Sequence, residues 1–352
     1  MKILRFIPIL YIFIAVFYSC SPDVELYADY KDVAIIYGML DPNADTNYIK
    51  ITRAFCGTND APIIANEVAL ISDSSNYLDK LEVSIIELKN TYGNQYQPTG
   101  RVFLLDTMTV HNKEEGVFYS PEQVVYYTTE PFNITSGGSR YRYKLFIVKP
   151  DGDTITALTT MIGNEDFAIV TGVVSFQSAP SDESGCIYFR ADGMAPLYEV
   201  CVQFNYRERL AGQGMREKSV RRSFGTMPIT DYNRVNLSEN SYYLEYGRNW
   251  LFNALANAIG GDTIIDPEHP NVVRYIDDFV ISISAAGEDL YYYYLANQAQ
   301  ETNMAGFISS YSNIDGGYGL FSSRVTIKRV ASMSNTTLEC LYAKTSWGFQ
   351  MQ

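Results

Sequence analysis

The stretch Arg140-Tyr141-Arg142-Tyr143-Lys144-Leu145-Phe146-Ile147-Val148 alternates with a period of two, setting Tyr141, Tyr143, Leu145 and Ile147 against Arg140, Arg142 and Lys144. Successive residues of a strand point to opposite faces, so this pattern puts one face on a core and the other in water. A helix, with its period near 3.6, would scatter the same residues around its circumference. Similar alternation runs through Asn47 to Arg53, Leu81 to Ile85, Phe279 to Ser284 and Arg324 to Lys328. Turn chemistry separates these runs at Asp41-Pro42-Asn43-Ala44-Asp45, Tyr92-Gly93-Asn94 and Pro150-Asp151-Gly152-Asp153. Each supplies a fixed φ, a tolerated left-handed backbone or a side chain that bonds its own main chain. The 29 tyrosines suit the same half-buried pleated surface.

Two segments depart from the period of two. Leu244, Leu251, Leu255 and Ile259 fall near one helical face and are followed by Gly260-Gly261, which predicts a helix over 244–259 with a glycine stop. Glu288 and Asp289 complement a helix N-terminus, and Leu290, Tyr293, Tyr294 and Ala296 follow at helical spacing, which predicts a second helix over 288–303. A boundary near Met161-Ile162-Gly163-Asn164 then gives a mainly β chain of two parts. The first, over 31–162, is read as an Ig/transthyretin-like antiparallel β-sandwich; the second, over 163–352, as a β-rich domain carrying one or two helices.

The chain opens with Lys2 and Arg5 and a continuous apolar segment, Phe6 to Tyr18, of 13 residues. A helix rising about 1.5 Å per residue needs roughly 20 residues to cross a bilayer, so this segment is read as a secretion signal over 1–19. It ends in Phe17-Tyr18-Ser19-Cys20. That ending resembles a lipobox of the looser Bacteroidota kind, in which the cysteine receives a diacylglycerol thioether and becomes the first residue of the mature chain. Acyl chains contribute about 0.8 kcal/mol per buried methylene, so two or three of them anchor a protein at Cys20 without a spanning helix. Residues 20–30 then form a tether. Asp23 and Glu25 near its start partly resemble the acidic signal that directs such lipoproteins to the cell surface.

Loss of residues 1–19 leaves 333 residues and moves the formal charge from −13 to −15, because Lys2 and Arg5 leave and no acid does. Binding of nucleic acid requires clustered cations against phosphate and is excluded as an expectation. Only His111 and His269 are present and no CxxC occurs, so no metal site or cofactor is expected. Beyond Cys20 the cysteines are Cys56, Cys186, Cys201 and Cys340. A turn over Asp192-Gly193-Met194-Ala195-Pro196 would lay the strands of Cys186 and Cys201 side by side. A disulfide across that hairpin and two separate thiols stand as equal readings.

Asp41-Pro42-Asn43-Ala44-Asp45 begins like a calcium loop, but Thr46 and Thr52 stand where glycine and glutamate are needed, so it is read as a hairpin turn. Asp266-Pro267-Glu268-His269-Pro270 is read as a rigid loop, and Asp277-Asp278 as solvated acids at a strand entry. No GxSxG, HExxH, P-loop or dinucleotide motif occurs, and no catalytic residue is assigned. Tyr291 to Tyr294 offers stacking surface for sugar, or simply a helix face turned to a core.

The most particular stretch is Asn313-Ile314-Asp315-Gly316-Gly317-Tyr318-Gly319-Leu320-Phe321, where glycines imply close backbone approach. Asn313, Gly316, Gly317 and Gly319 are singled out either as a tight structural loop or as a binding loop. With this stretch, with Tyr37-Gly38-Met39-Leu40-Asp41-Pro42 and Tyr48-Ile49-Lys50-Ile51, and with the lipobox, the chain resembles a family of Bacteroidota outer-membrane lipoproteins of unknown function. Relatives in that family are often encoded beside TonB-dependent receptors. The resemblance implies a non-enzymatic, surface-facing accessory to nutrient uptake, with the outer membrane, a TonB-dependent transporter and a glycan or peptide ligand as partners. Two rivals remain: a fimbrillin-like adhesin subunit, disfavoured because the first arginine after Cys20 is Arg53 within a predicted strand, and a hydrolase using converging carboxylates.

Overall fold

The computed structural model describes residues 33–53, 76–110 apart from 78 and 91–94, 123–178 apart from 137, 183–236, 240–260, 263, 271–301 and 311–351. The leader with Cys20, the tether, Cys56, the Tyr92-Gly93-Asn94 turn and the Asp266–His269 loop lie outside the described residues. The molecule is mainly β, with 58% of the described residues in strands and 14% in helix.

The first eight strands are β1 (Ala34–Leu40), β2 (Asn47–Arg53), β3 (Glu82–Asn90), β4 (Tyr96–Leu104), β5 (Asp106–Val110), β6 (Gln123–Thr128), β7 (Tyr141–Val148) and β8 (Thr154–Thr160). There follow β9 (Ala168–Ile169), β10 (Val173–Val174), β11 (Ser184–Arg190), β12 (Leu197–Leu210), β13 (Arg216–Pro228), β14 (Asn233–Asn236) and β15 (Ser241–Gly247). Helix α1 (Trp250–Ile259), β16 (Val272–Ala286), helix α2 (Glu288–Glu301), β17 (Ile314–Asp315), β18 (Gly317–Met333), helix α3 (Asn335–Ala343) and β19 (Phe349–Gln350) complete the order.

One long sheet runs β13-β12-β16-β18-β1-β2-β6-β5, with β10 and β19 attached to β18 and β16. A second runs β17-β8-β7-β3-β4 and a third β14-β15-β11-β9. Most pairings are antiparallel; β18 pairs in parallel with β1 and with β10, and β16 with β19. The period-two pattern sets the core. Ile36, Leu40, Ile49 and Ile51 from the long sheet, and Val83, Ile85, Phe103, Tyr143, Leu145 and Ile147 from the second, are buried in one shared cluster. Full burial of side chains of this size favours folding by about 1.5–3 kcal/mol each. A second cluster begins at Ile162 and is built on Phe176, Phe189, Val200, Phe204, Phe279 and Ile281.

The two clusters divide between Met161 and Ile162, but the backbone is not divided there. Ile314 and Phe321, from far along the chain, belong to the first core, and β18 continues from β1 straight across to β16. The separation expected at 162/163 is therefore a separation of cores within a continuous sheet.

Two sequence expectations need correction. Residues 244–249 are not helical: Leu244 lies in β15 opposite Ile187, and α1 begins at Trp250. Tyr242, Leu244 and Tyr246 obey a period of two as well as contributing one point to the helical stripe, and pairing with β11 decides between them. Helix α2 is helical over Glu288–Glu301 as expected, and 302 and 303 of the expected span lie outside the described residues. Helix α3 was not expected; Ser334 caps it by accepting from the backbone N–H of Thr337, and the apolar stripe behind that Ser-Asn-Thr-Thr signal is short, ending at Ala343.

The cysteine pairing also fails. Cys186 is in β11, between β15 and β9, whereas Cys201 is in β12, between β13 and β16, and both are free thiols. The connection through Asp192 is a crossover between sheets rather than a hairpin. The Asp192 carboxylate accepts from the N–H groups of Gly163 (2.7 Å) and Met194 (2.8 Å), and the Tyr198 hydroxyl donates to its carbonyl (2.8 Å). Urea unfolding of Cys186→Ser is expected to show a loss below about 1 kcal/mol, against the 2–5 kcal/mol that loss of a structural disulfide costs.

Candidate functional site

The glycine-rich stretch is the seam between the second sheet and the long one. Ile314 and Asp315 pair with Ala157 and Thr156 of β8; the chain turns at Gly316, and Gly317 and Gly319 then pair with Ala34 and Ile36 of β1. The approach at Gly319 leaves no room for a side chain: a Cβ there would sit 1.9 Å from the Ile36 carbonyl oxygen, and φ is +121°. On the facing strand, a Cβ at Gly38 would lie 2.9 Å from the Phe321 ring. Asn313 bridges the seam with its amide, accepting from the Phe321 N–H (2.9 Å) and donating to the Phe321 carbonyl (2.7 Å). Ser312 Oγ accepts from the Gly319 N–H at 3.1 Å. Asn313 and Gly319 thus have structural tasks, and so do Gly316 and Gly317, where a Cβ would stand 3.0 Å from the Thr154 carbonyl oxygen and 2.8 Å from that of Ala34; these two also line a cleft.

That cleft, of about 520 Å³, is lined by Lys149, Asp153, Thr154, Gly316, Gly317 and Tyr318, with Val33 at its edge. The Lys149 side chain is only 8% exposed, and its ammonium lies 3.4 Å from Asp151 and 3.5 Å from Asp153. The β7–β8 turn brings them together: the Gly152 N–H donates to the Lys149 carbonyl and the Lys149 N–H to that of Asp153, both at 2.9 Å. Asp151 is held below the usual carboxylate value, first by the Asp153 N–H and then by Lys149. Two carboxylates against one ammonium leave no excess positive charge for an anion. The walls combine an ammonium donor, carboxylate and hydroxyl acceptors, and an exposed tyrosine ring.

Beneath the seam, the first turn of α2 contributes a partly buried acid. Asp289 accepts from the Tyr311 hydroxyl (2.9 Å) and the Thr159 hydroxyl (3.1 Å), and the Leu290 N–H donates to Ser322 Oγ. Burial raises the Asp289 carboxyl above its ordinary value and, with the acid beside it, drives the Tyr311 hydroxyl well above its own. The tetra-tyrosine run divides: Tyr294 donates to the Thr226 carbonyl (2.7 Å), Tyr293 bonds Tyr37, and Tyr292 stays exposed with its hydroxyl on Glu288 (2.8 Å).

The Asp289 shift has a definite sign. Between the unfolded value of 3.8 and the raised folded value, the native state holds more protons, so this group's contribution to stability falls as pH rises through that window. Relative to Asp289→Asn, the native protein is expected to gain stability on acidification from neutral pH toward 4. Urea midpoints of both proteins across that range check it.

The other expected sites resolve into structure. Asp41 makes a hairpin turn, accepting from the N–H groups of Asn43 on its carboxylate (2.9 Å) and Ala44 on its carbonyl (3.2 Å). Asp277 receives Arg207 (2.8 Å) and Asp278 receives Asn205 (2.6 Å). Two buried acids escaped sequence reasoning. Glu87 accepts from Tyr143, Asn133 and Thr99, and Glu208 pairs with Arg274. Each lies in a strand whose sequence reads as half solvated, so no local signal marked it. Among the described residues no group of His, Cys, Asp and Glu is placed to hold a metal ion, and no helix is long and apolar enough to cross a membrane.

Comparison with protein-family models finds no match along this chain, and comparison with curated proteins finds no significant match.

Proposed function

We propose that this chain is a lipid-anchored, non-enzymatic binding protein of the outer membrane, tethered at Cys20 and facing the cell surface, and an accessory of a TonB-type nutrient uptake system. A glycan or peptide is its ligand. The observation that carries the reading is the cleft beside the glycine seam, where Gly316 and Gly317 open the floor next to Lys149, Asp153 and Tyr318. Its volume falls within the range of small-ligand sites, about 300–1,000 Å³. Val33, at the cleft edge, is 13 residues from Cys20, a separation that spans at most about 45 Å when extended, so the site stays close to the bilayer in which a transporter sits.

Affinity capture from gently solubilised outer membranes tests this. Co-recovery of a TonB-dependent transporter, dependent on Cys20, is the expected result. Recovery of the chain with neither a transporter nor an extracellular ligand would contradict it. A ladder of polymers would instead favour an adhesin subunit, and turnover of a glycan or peptide would favour a hydrolase.

A further inference from the structure

The outer face of the long sheet changes character along its width, and α2 packs over part of it, where Leu320, opposite Tyr37, and Ser322 are buried. On the β12–β16–β18 side the paired residues are polar, with Ser282 opposite Lys328 and Ser284 opposite Thr326. On the β18–β1–β2–β6 side the same face carries tyrosines. Tyr318 stands opposite Ile35, one step from Tyr37 along β1; Tyr37 stands opposite Lys50, one step from Tyr48 along β2; and Tyr48 stands opposite Tyr127 of β6. Tyr318, Tyr37 and Tyr48 are 59%, 47% and 46% exposed, although burial is what ordinarily favours a ring of this size. With strands about 4.8 Å apart and two residues advancing about 6.6 Å, each diagonal step is roughly 8 Å, so the row spans about 16 Å, the length of about three linked hexoses. Its first ring, Tyr318, is also a wall of the Lys149–Asp153 cleft.

We infer that this diagonal row and the cleft together bind a neutral oligosaccharide, the inference resting on the anchored-binding reading above and naming its ligand class. The rings of Tyr318, Tyr37 and Tyr48 stack against the C–H faces of successive sugars, and Thr154, Asp153 and Lys149 bond the hydroxyls of the terminal one. Two observations favour sugar over the alternatives. A peptide bound by strand addition needs a free sheet edge, whereas β18, β1 and β2 are each paired on both sides, so the row offers no main-chain partners. A polyanion needs spare positive charge, whereas Lys50 is engaged by Gln123 (3.0 Å) and Lys149 by two carboxylates, in a chain of net charge −13. Tyrosines on a sheet face are also ordinary strand formers. What distinguishes these is their alignment on one diagonal that ends in a polar cleft, with Tyr127 of β6 beside its far end.

The test uses the detergent-solubilised full-length mature protein and calorimetric titration with neutral gluco-, manno- and xylo-oligosaccharides of one to six units, with polygalacturonate and an acidic peptide as the other arms. Affinity for at least one neutral series is expected to climb until about three units and then level. Each of Tyr318→Ala, Tyr37→Ala and Tyr48→Ala should weaken it by about tenfold, with melting unchanged for Tyr318→Ala and Tyr48→Ala, while Tyr48→Phe retains it. Absence of binding to every neutral series, or binding unchanged in the triple alanine variant, would overturn the inference. If the chain still recovers a transporter while binding no saccharide, this inference fails and the anchored-binding reading survives; loss of both sinks the two together.

Discussion

Gly319→Ala is expected to leave little folded protein, lowering the unfolding free energy by more than about 4 kcal/mol against a usual total of 5–15 kcal/mol. Two independent costs meet at this position. An alanine Cβ would stand 1.9 Å from the Ile36 carbonyl oxygen, so the parallel pairing of β18 with β1 must open, and φ of +121° is strained for any L side chain. Opening that pairing also withdraws Phe321 from the first core and removes the floor of the cleft. Gly212 supplies the control: its φ is +76°, but no atom lies within 4 Å of the point a Cβ would occupy, so Gly212→Ala should cost only about 1–2 kcal/mol. Urea denaturation of the two variants measures the difference. Similar losses at both positions would mean that the seam is not the close contact described.

Arg274→Met is expected to cost about 3–5 kcal/mol, and the double variant Glu208→Leu with Arg274→Met to recover most of it. Arg274 is fully buried and its guanidinium donates through Nε and Nη2 to one carboxylate oxygen of Glu208 and through Nη1 to the Trp347 carbonyl (2.7 Å). Removing the cation alone strands a buried carboxylate, for which Lys218, 3.8 Å away and half exposed, is a poor substitute. Removing both charges eliminates the desolvation cost along with the attraction. The same arginine holds the C-terminal segment, since its backbone N–H donates to Gly348 beside the β16–β19 pairing. A double-mutant cycle read by chemical denaturation gives the coupling directly.

The strands were legible in the sequence because half-burial imprints a period of two locally, as at Tyr141, Tyr143, Leu145 and Ile147. Their arrangement was not, because the contact of Gly319 with Ile36 joins residues nearly 300 positions apart and no local pattern encodes it. The glycines announced a close approach without naming the partner. Leu244 satisfied two periodicities at once, and the turn at Asp192 suited a crossover as well as a hairpin. Both were decided by pairing that only the assembled sheets reveal. Of the candidate site, Gly316 and Gly317 were visible in sequence. Asp153 was read as part of a turn and Lys149 carried no reading, and their role as cleft walls follows from where β8 meets β17. The tyrosine row was hidden for a related reason: Tyr37, Tyr48 and Tyr318 become neighbours only through strand register.

The anchored reading requires that the polypeptide begin its mature life at Cys20 with acyl chains attached. Intact-mass and N-terminal peptide spectrometry of the chain purified from its own membranes measures this directly. The expected result is a mature chain of 333 residues carrying a diacylglycerol thioether on Cys20, together with a further acyl group on its amine. A chain with an unmodified thiol at Cys20, recovered from the soluble fraction, would contradict it.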